Sequence, residues 1–247
     1  MITILTSSMG GFIKKDGERY PVLFPDTNRY GESIHKYWKD GAKVMIISAF
    51  PENVERNDSV RDLLAKVFVF NGLNVASVEN CDCRNEQELT DITRYDVVIL
   101  AGGHVPTQNA FFERLGLKQL LQSFDGLLIA WSAGSMNCAE TVYAQPEVEA
   151  EGIDPDYQRF IPGLGVTKTM IIPHFQDVRK DIVDGLRVIE DMAYPDSMGR
   201  EFLALNDGSY LVSADGVETL YGEAYEIKDG SMSQICRDGE SIIYSPK

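Results

Sequence analysis

The chain has 247 residues, of which 38 are acidic and 23 are basic, giving a formal net charge of −15. Such a surface repels phosphate backbones, which argues against nucleic-acid binding, and no run reaches the ~20 apolar residues that span a bilayer. The start of the chain lacks the basic region of a signal peptide, so we expect a cytoplasmic protein. The length and composition predict one domain over residues 1–247 with a sizeable core.

Strand-like and helix-like segments alternate along the first part of the chain. The apolar runs at 2–7, 43–50, 73–78, 96–101 and 127–131 predict strands. The segments at 28–39, 54–71 and 111–124 predict helices between them. Repeated strand–helix units indicate an α/β fold with a doubly wound, mostly parallel sheet flanked by helices.

The second part of the chain has a different pattern. We predict a strand at 167–173 and a helix at 177–192, with Asp177 as its cap. Asp-Gly pairs at 207–208, 215–216, 229–230 and 238–239 separate short apolar runs. These turn signals predict antiparallel hairpins near the C-terminus, at one edge of the sheet.

The segment Trp131-Ser132-Ala133-Gly134 follows a predicted buried strand and precedes a predicted helix. This is the layout of a nucleophile elbow, in which a sharp turn lifts a serine hydroxyl clear of the sheet. The alternative is a Ser-Gly turn that merely ends the strand. If Ser132 is the nucleophile, the backbone N–H of Ala133 points toward the oxyanion that its attack creates.

A catalytic serine needs a base, and the chain has three histidines. His35 lies in a helical pattern and is interpreted as a surface residue. His104 follows Gly102-Gly103 at a strand end, where the glycines allow close backbone approach, so Gly103 is a candidate second oxyanion donor. His174 follows another predicted strand and is the preferred general base. Gly102, His104 and Ser135 are expected to border the substrate.

The third member of such a triad is a carboxylate that orients the imidazole. The segment between Ser132 and His174 offers six acids, and the residues alone do not choose among them. They are Glu140, Glu147, Glu149, Glu151, Asp154 and Asp156.

The motifs Ser132-Ala-Gly-Ser, Ala101-Gly-Gly103 and Ile172-Pro-His174 resemble the dipeptidase E and cyanophycinase family of serine peptidases. This resemblance implies a fold like that of the class I glutamine amidotransferases. It also implies a Ser-His-Asp or Ser-His-Glu triad whose acid follows the serine by fifteen positions, which is Glu147 here, with Glu149 in reserve. Many relatives have Gly-Gly-Asn where this chain has His104 after the glycine pair. Dipeptidase E prefers an N-terminal aspartate, and the sequence does not identify a cation to receive it, since Arg159, Lys168 and Arg179 are interpreted as surface charges.

The predicted function is hydrolysis of amide bonds in small peptides through an acyl-enzyme, with no metal or cofactor. One alternative is a non-catalytic protein of the same fold that binds a small molecule. Another is a glutaminase-type amidotransferase, whose nucleophile is a cysteine, although Cys138 lies too late for the elbow. An α/β-hydrolase esterase usually carries its histidine closer to the C-terminus. Cys81 and Cys83 are too closely spaced for an ordinary disulfide, and no second cysteine pair completes a zinc site. The four cysteines are therefore predicted to be reduced thiols of a cytoplasmic protein.

Overall fold

Strands and helices alternate through the first half of the chain, and strands dominate the second half. The computed structural model describes residues 1–246. Its strands are β1 (Ile2–Thr6), β2 (Phe12–Lys15), β3 (Glu18–Pro21), β4 (Ala42–Ile47), β5 (Val75–Cys81), β6 (Val97–Leu100), β7 (Leu127–Trp131), β8 (Thr141–Tyr143), β9 (Phe160–Pro162), β10 (Met170–Ile172), β11 (Ile182–Val183), β12 (Leu186–Arg187), β13 (Glu201–Leu205), β14 (Tyr210–Ala214), β15 (Val217–Tyr221), β16 (Ala224–Lys228), β17 (Ser231–Cys236) and β18 (Ser241–Tyr244). Its α-helices are α1 (Tyr30–Tyr37), α2 (Val54–Phe70), α3 (Val105–Arg114), α4 (Leu117–Leu121), α5 (Ala133–Asn137), α6 (Phe175–Val178) and α7 (Tyr194–Asp196). A 3₁₀ turn covers Glu86–Glu88, and a π-helical turn covers Val188–Ala193.

Eight strands form the central sheet in the order β18-β15-β14-β1-β7-β6-β4-β5. The five strands from β1 to β5 in this order are parallel to one another, and β14, β15 and β18 continue the sheet in antiparallel fashion. The predicted α/β class, the mostly parallel sheet and the C-terminal hairpins are therefore confirmed.

Both faces of this sheet are buried, because successive residues of a strand point to opposite sides. Ile4 and Ile129 pack with α1 and α2 on one face, while their neighbours Leu5 and Leu128 belong to a second core that contains Phe111 of α3. The near-continuous apolar runs in the sequence follow from this double coverage.

A second sheet, in the order β10-β13-β16-β17, packs beside the first and has its own core. The aromatic rings of Tyr143 and Phe202 stack there with their centroids 4.3 Å apart. Strands β10 and β13 are parallel, with Ile172 opposite Ala204. The segments that follow β10 and β13 therefore begin next to each other, at the same edge of the second sheet.

The predicted helix at 177–192 is wrong. Helix α6 ends at Val178, and β11 and β12 form a hairpin before the π-helical turn begins. The hairpin turns at Asp184 and Gly185, whose φ angles are 54° and 79°. Two left-handed residues between paired strands make the type of turn that favours Asp-Gly, and this local signal overrides the helical spacing of the apolar residues.

The same kind of turn produces a hairpin of β2 and β3 that the sequence reading did not predict, with Asp16 and Gly17 at φ 52° and 85°. The predicted helix at 111–124 is divided into α3 and α4 by Gly116 at φ 60°. Within residues 1–246, no helix is long and apolar enough to cross a membrane.

Candidate active site

Ser132 lies between β7 and α5 with φ 52° and ψ −123°. This conformation is strained for a residue with a side chain and is the kind of backbone outlier that collects at functional sites. The backbone N–H of Ser132 donates to the carbonyl of Thr6 at 3.1 Å, which fixes the turn to β1. A Cβ atom on Gly134 would collide with the backbone of Leu100, so this position of the turn requires glycine.

Ser135, predicted to border the substrate, stabilises this turn and lines neither of the two cavities beside Ser132. Its side chain is fully buried, and its hydroxyl lies 2.9 Å from the carbonyl oxygen of Thr6 and 2.8 Å from that of Ala130. A hydroxyl committed to two buried backbone carbonyls is not available to a ligand.

His174 follows β10 and lies at the same edge of the fold as Ser132, as predicted, and the two residues line the same two cavities. The Nδ1 atom of His174 is 2.7 Å from Oδ1 of Asp207, a carboxylate in the turn between β13 and β14. Because an ionised carboxylate can only accept, Nδ1 carries the hydrogen, and in the neutral imidazole Nε2 keeps its lone pair. Within residues 1–246, no direct hydrogen bond joins Ser132 to His174, and such bonds are often long in unliganded enzymes.

Asp207 replaces the predicted Glu147 as the hydrogen-bond partner of His174. The hydroxyl of Ser7, at the end of β1, donates to Asp207 Oδ1 at 2.7 Å and accepts from the backbone N–H of His174 at 2.7 Å. The side-chain oxygen of Gln176 accepts from the backbone N–H of Asp207 at 2.9 Å. The carboxylate and the imidazole are thus positioned by shared contacts as well as by their own bond.

Contact between His174 and Asp207 stabilises the positive charge of the imidazolium and the negative charge of the carboxylate. Burial alone would lower the pKa of His174, but the hydrogen bond to Asp207, followed by the charges of Asp207, Glu147 and Asp177, raises it above its ordinary value. For Asp207, burial opposes ionisation, yet contact with His174 holds its pKa below its usual range. Both side chains keep about two fifths of their surface exposed, 38% for His174 and 43% for Asp207, so solvent screens part of this interaction.

The backbone N–H groups of Gly103 and Ala133 donate no hydrogen bond to any of the described residues. Ala133 is the first residue of α5, where an N–H has no intrahelical acceptor. Gly102 and Gly103 are close to their neighbours, since a Cβ on Gly102 would lie 2.5 Å from Trp131 Nε1 and 3.0 Å from Ser132 Cβ. Approach to Trp131 and Ser132 explains Gly102, and a Cβ on Gly103 would collide with Ala49 and Phe50.

His104 precedes α3, and both its ring nitrogens have partners. Nδ1 lies 2.8 Å from the hydroxyl of Thr107, and Nε2 lies 2.7 Å from Oε1 of Glu151. The other carboxylate oxygen of Glu151 accepts from the backbone N–H groups of Glu147 and Val148, at 2.8 and 3.1 Å. His104 therefore ties the glycine loop to the segment that carries Glu147, and neither cavity beside Ser132 is lined by it.

Glu147 borders a cavity beside Ser132 and His174, although it has no hydrogen bond to the imidazole. Partial desolvation raises the pKa of its carboxyl to about 7, with the charge of His104 opposing and that of Glu151 adding to the effect, while over a third of the residue's surface stays exposed. The reserve residue, Glu149, is exposed and lines neither cavity.

The first cavity has a volume of about 250 Å³ and reaches from Ser132 and His174 toward α2 and the β2–β3 hairpin. Its walls include Met9, Phe50 and Trp131, and it also contains Arg19 and Arg56. The Arg56 guanidinium lies 3.8 Å from the centre of the Phe50 ring. Burial, and then repulsion from Arg19, lowers the pKa of Arg56.

Neither arginine of the first cavity forms an ion pair within residues 1–246. Two guanidinium groups that repel each other next to apolar walls make a site that favours an anion. Sequence reasoning missed both arginines because they lie far from the serine along the chain. Of the cations it did consider, Arg159 is paired with Asp196 at 2.9 Å.

The second cavity, of about 470 Å³, lies on the Glu147 side of Ser132 and His174. Its other polar side chains are Gln145, Asp177 and Asp181, and its apolar lining includes Pro146, Val178 and Val188. In the described residues there is no cluster of three or more His, Cys, Asp and Glu side chains that suits a metal ion.

Comparison with protein-family models gave no match to the sequence, and comparison with curated proteins gave none either. Among solved structures, the chain is similar to a protein from Listeria monocytogenes EGD-e described as a putative peptidase E. The superposition has a TM-score of 0.57 and covers 95% of this chain and 98% of the other, with 13% sequence identity. The two chains therefore share a fold, and the sequence identity is too low to carry residue roles from one to the other.

Proposed function

We propose that the protein is a serine hydrolase that cleaves amide bonds in small peptides, with Ser132 as nucleophile, His174 as base and Asp207 as the acid that orients it. The hydrogen bond between His174 and Asp207 is the observation that carries the proposal. It leaves Nε2 of the imidazole as a base in the cavities that Ser132 also lines. The shared fold with a protein described as a putative peptidase E agrees with it.

The reaction begins when Nε2 of His174 takes the proton of the Ser132 hydroxyl and the serine oxygen bonds to the carbonyl carbon of the amide. The resulting oxyanion accepts hydrogen bonds from the N–H groups of Gly103 and Ala133, and one such donor contributes about 3 kcal/mol. The imidazolium then protonates the leaving nitrogen, the C–N bond breaks, and an acyl-enzyme remains. Water, deprotonated by His174, releases the acyl group and restores the serine.

The cations of the first cavity support a substrate that carries a carboxylate. Arg19 and Arg56 offer two unpaired guanidinium groups within a cavity that Ser132 lines. A planar guanidinium binds a carboxylate through two parallel hydrogen bonds, which fixes its direction as well as its charge. We therefore propose that an acidic group of the substrate binds there.

Labelling with a fluorophosphonate tests the nucleophile without knowledge of the substrate. The wild type should acquire one adduct on Ser132, located by mass spectrometry, and Ser132→Ala should acquire none while keeping its thermal unfolding profile. A screen of dipeptides with the same two proteins would then identify substrates. Absence of labelling in the folded wild type would favour the non-catalytic alternative.

The amidotransferase alternative predicts reaction at a cysteine. Cys138 lies beyond α5, is fully buried, and burial raises the pKa of its thiol far above the ordinary value. A buried thiol of this kind is not a thiolate nucleophile. Labelling with iodoacetamide should therefore leave Cys138 unmodified in the folded protein.

A further inference from the structure

Three carboxylates line the second cavity, and among the described residues of its lining only His174 can carry a positive charge. The carboxylates are those of Glu147, Asp177 and Asp181, and no lysine or arginine within residues 1–246 lines the cavity. One cation lies close by, since Lys180 approaches Asp177 at 3.7 Å, but both side chains of that pair are about two thirds exposed, 67% and 68%. An exposed pair of this kind contributes little, so the field within the cavity stays negative.

A second feature of this cavity points to a ligand. Gln145 is 95% buried, with only 5% of its surface exposed, and its side-chain oxygen has no hydrogen-bond partner within the described residues. Its amide nitrogen donates no hydrogen bond there either, so exchanging the two atoms would not satisfy the group. Buried carboxamides are nearly always bonded, and leaving one unpaired is costly. Gln145 lines the cavity while its oxygen is covered by neighbouring protein atoms, so a rotation of the side-chain amide would present that oxygen to a ligand there.

Gln145 and Glu147 lie two positions apart in the chain and line the cavity together with Ser132. An amide oxygen and a carboxylate are both acceptors, and neither accepts a hydrogen bond from a described residue. The group that fits them is a donor with several N–H bonds and a positive charge. The apolar side chains of Pro146, Val178 and Val188 would contact the carbon atoms attached to such a group.

We propose that the second cavity binds a primary ammonium group on an aliphatic stem, with Gln145 and Glu147 as its hydrogen-bond acceptors. The proposal rests on the proposed function in one respect, because it makes this ammonium group part of the substrate. Gln145 and Glu147 are then residues that select the substrate, and the reacting atoms remain those of Ser132 and His174.

The experiment measures binding of n-butylammonium chloride to the Ser132→Ala protein by NMR titration at pH 8.5, where Glu147 is ionised. Sodium chloride keeps the ionic strength constant, and n-butanol is the neutral probe of the same size. We expect saturable binding of the ammonium ion with a Kd on the order of 1–10 mM, as suits so small a ligand. We expect at least tenfold weaker binding of n-butanol.

Three further variants locate the site. Glu147→Gln removes the charge and Gln145→Met removes the amide at nearly constant length, so each should weaken binding roughly tenfold or more, as expected for hydrogen bonds to a charged group. Glu149→Gln, a matched change on a neighbour that lines neither cavity, should leave binding unchanged. Equal binding of butanol, no saturation, or equal weakening by Glu149→Gln and Glu147→Gln would overturn the proposal.

The outcome is separable from that of the proposed function. Fluorophosphonate labelling of the wild type reports on Ser132 whether or not the ammonium ion binds, and the titration uses a protein without that hydroxyl. If both proposals hold, n-butylammonium also slows the labelling of the wild type, since the two ligands share one cavity. Normal labelling with no butylammonium binding would refute the ammonium site alone.

Discussion

Replacing Asp207 by asparagine removes a charge from His174 with almost no change of shape. The amide keeps one acceptor oxygen, but it no longer stabilises the imidazolium that forms when Ser132 attacks. In serine proteases this kind of change lowers kcat by about 10⁴. Here the two side chains are 43% and 38% exposed, and water replaces part of the lost interaction. We therefore expect a smaller loss, roughly 10²–10³ in rate, or about 2.7–4 kcal/mol in the activation free energy.

The same variant should change the pH dependence. His174 acts as a base only when neutral, so the rate rises as pH passes through its pKa. In the wild type this pKa lies above its ordinary value, since the Asp207 bond and the nearby carboxylates outweigh burial. Removing the carboxylate leaves burial less opposed and moves the acidic limb to lower pH.

The assay is the second-order rate of fluorophosphonate labelling between pH 5 and 9, because it needs no natural substrate. Wild type, Asp207→Asn and Glu147→Gln are compared, and denaturant unfolding shows whether each is folded. Glu147 also raises the pKa of His174, but through its charge alone, so Glu147→Gln should shift the limb less and slow labelling less than Asp207→Asn. A folded Asp207→Asn protein that labels within threefold of the wild-type rate, or a larger loss in Glu147→Gln, would refute the assignment of the acid.

Three further variants test the elbow and the first cavity. Gly134→Ala should destabilise the fold by about 1–3 kcal/mol in urea unfolding, because a Cβ would collide with the backbone of Leu100; unchanged stability would contradict the close approach. Ser135→Ala should lower stability by about 1 kcal/mol and still label at Ser132, whereas unchanged stability with a raised KM would return Ser135 to the substrate site. Arg56→Gln should raise KM roughly tenfold for dipeptides with an acidic side chain and leave fluorophosphonate labelling unchanged, and Lys168→Gln, a matched loss of charge at an exposed position, should leave KM unchanged.

Local patterns in the sequence were sufficient for the central sheet and for the conformation of Ser132. An apolar strand followed by small residues predicts a tight turn, and the structure has Ser132 at φ 52° between β7 and α5. The close approach of the glycine loop to the serine also follows from sequence, because strand ends of a parallel sheet meet at one edge. His174 was placed at this edge by the same argument.

The acid could not be found by the same reasoning. Between Ser132 and His174 the chain carries six carboxylates that its sequence does not distinguish. Asp207 lies beyond this interval, in an Asn-Asp-Gly sequence that is also an ordinary turn signal. The signal that could have found it is the apolar run 201–205 before this turn, which marks another strand end.

The pairing of strands brings Asp207 next to His174, and the residues around either position do not predict this pairing. Ile172 of β10 lies opposite Ala204 of β13 in a parallel register, so His174 and Asp207 leave the second sheet side by side, two and three residues later. The next strand, β14, then pairs antiparallel with β1, which places the turn before it beside Ser7 at the end of β1. A hydrogen bond across 33 positions of the chain thus depends on two sheets meeting at one edge. Substitutions that loosen this contact, such as Ser7→Ala, should therefore slow labelling of Ser132 without touching the triad, and normal labelling of that variant would show that the pair is held by its own hydrogen bond alone.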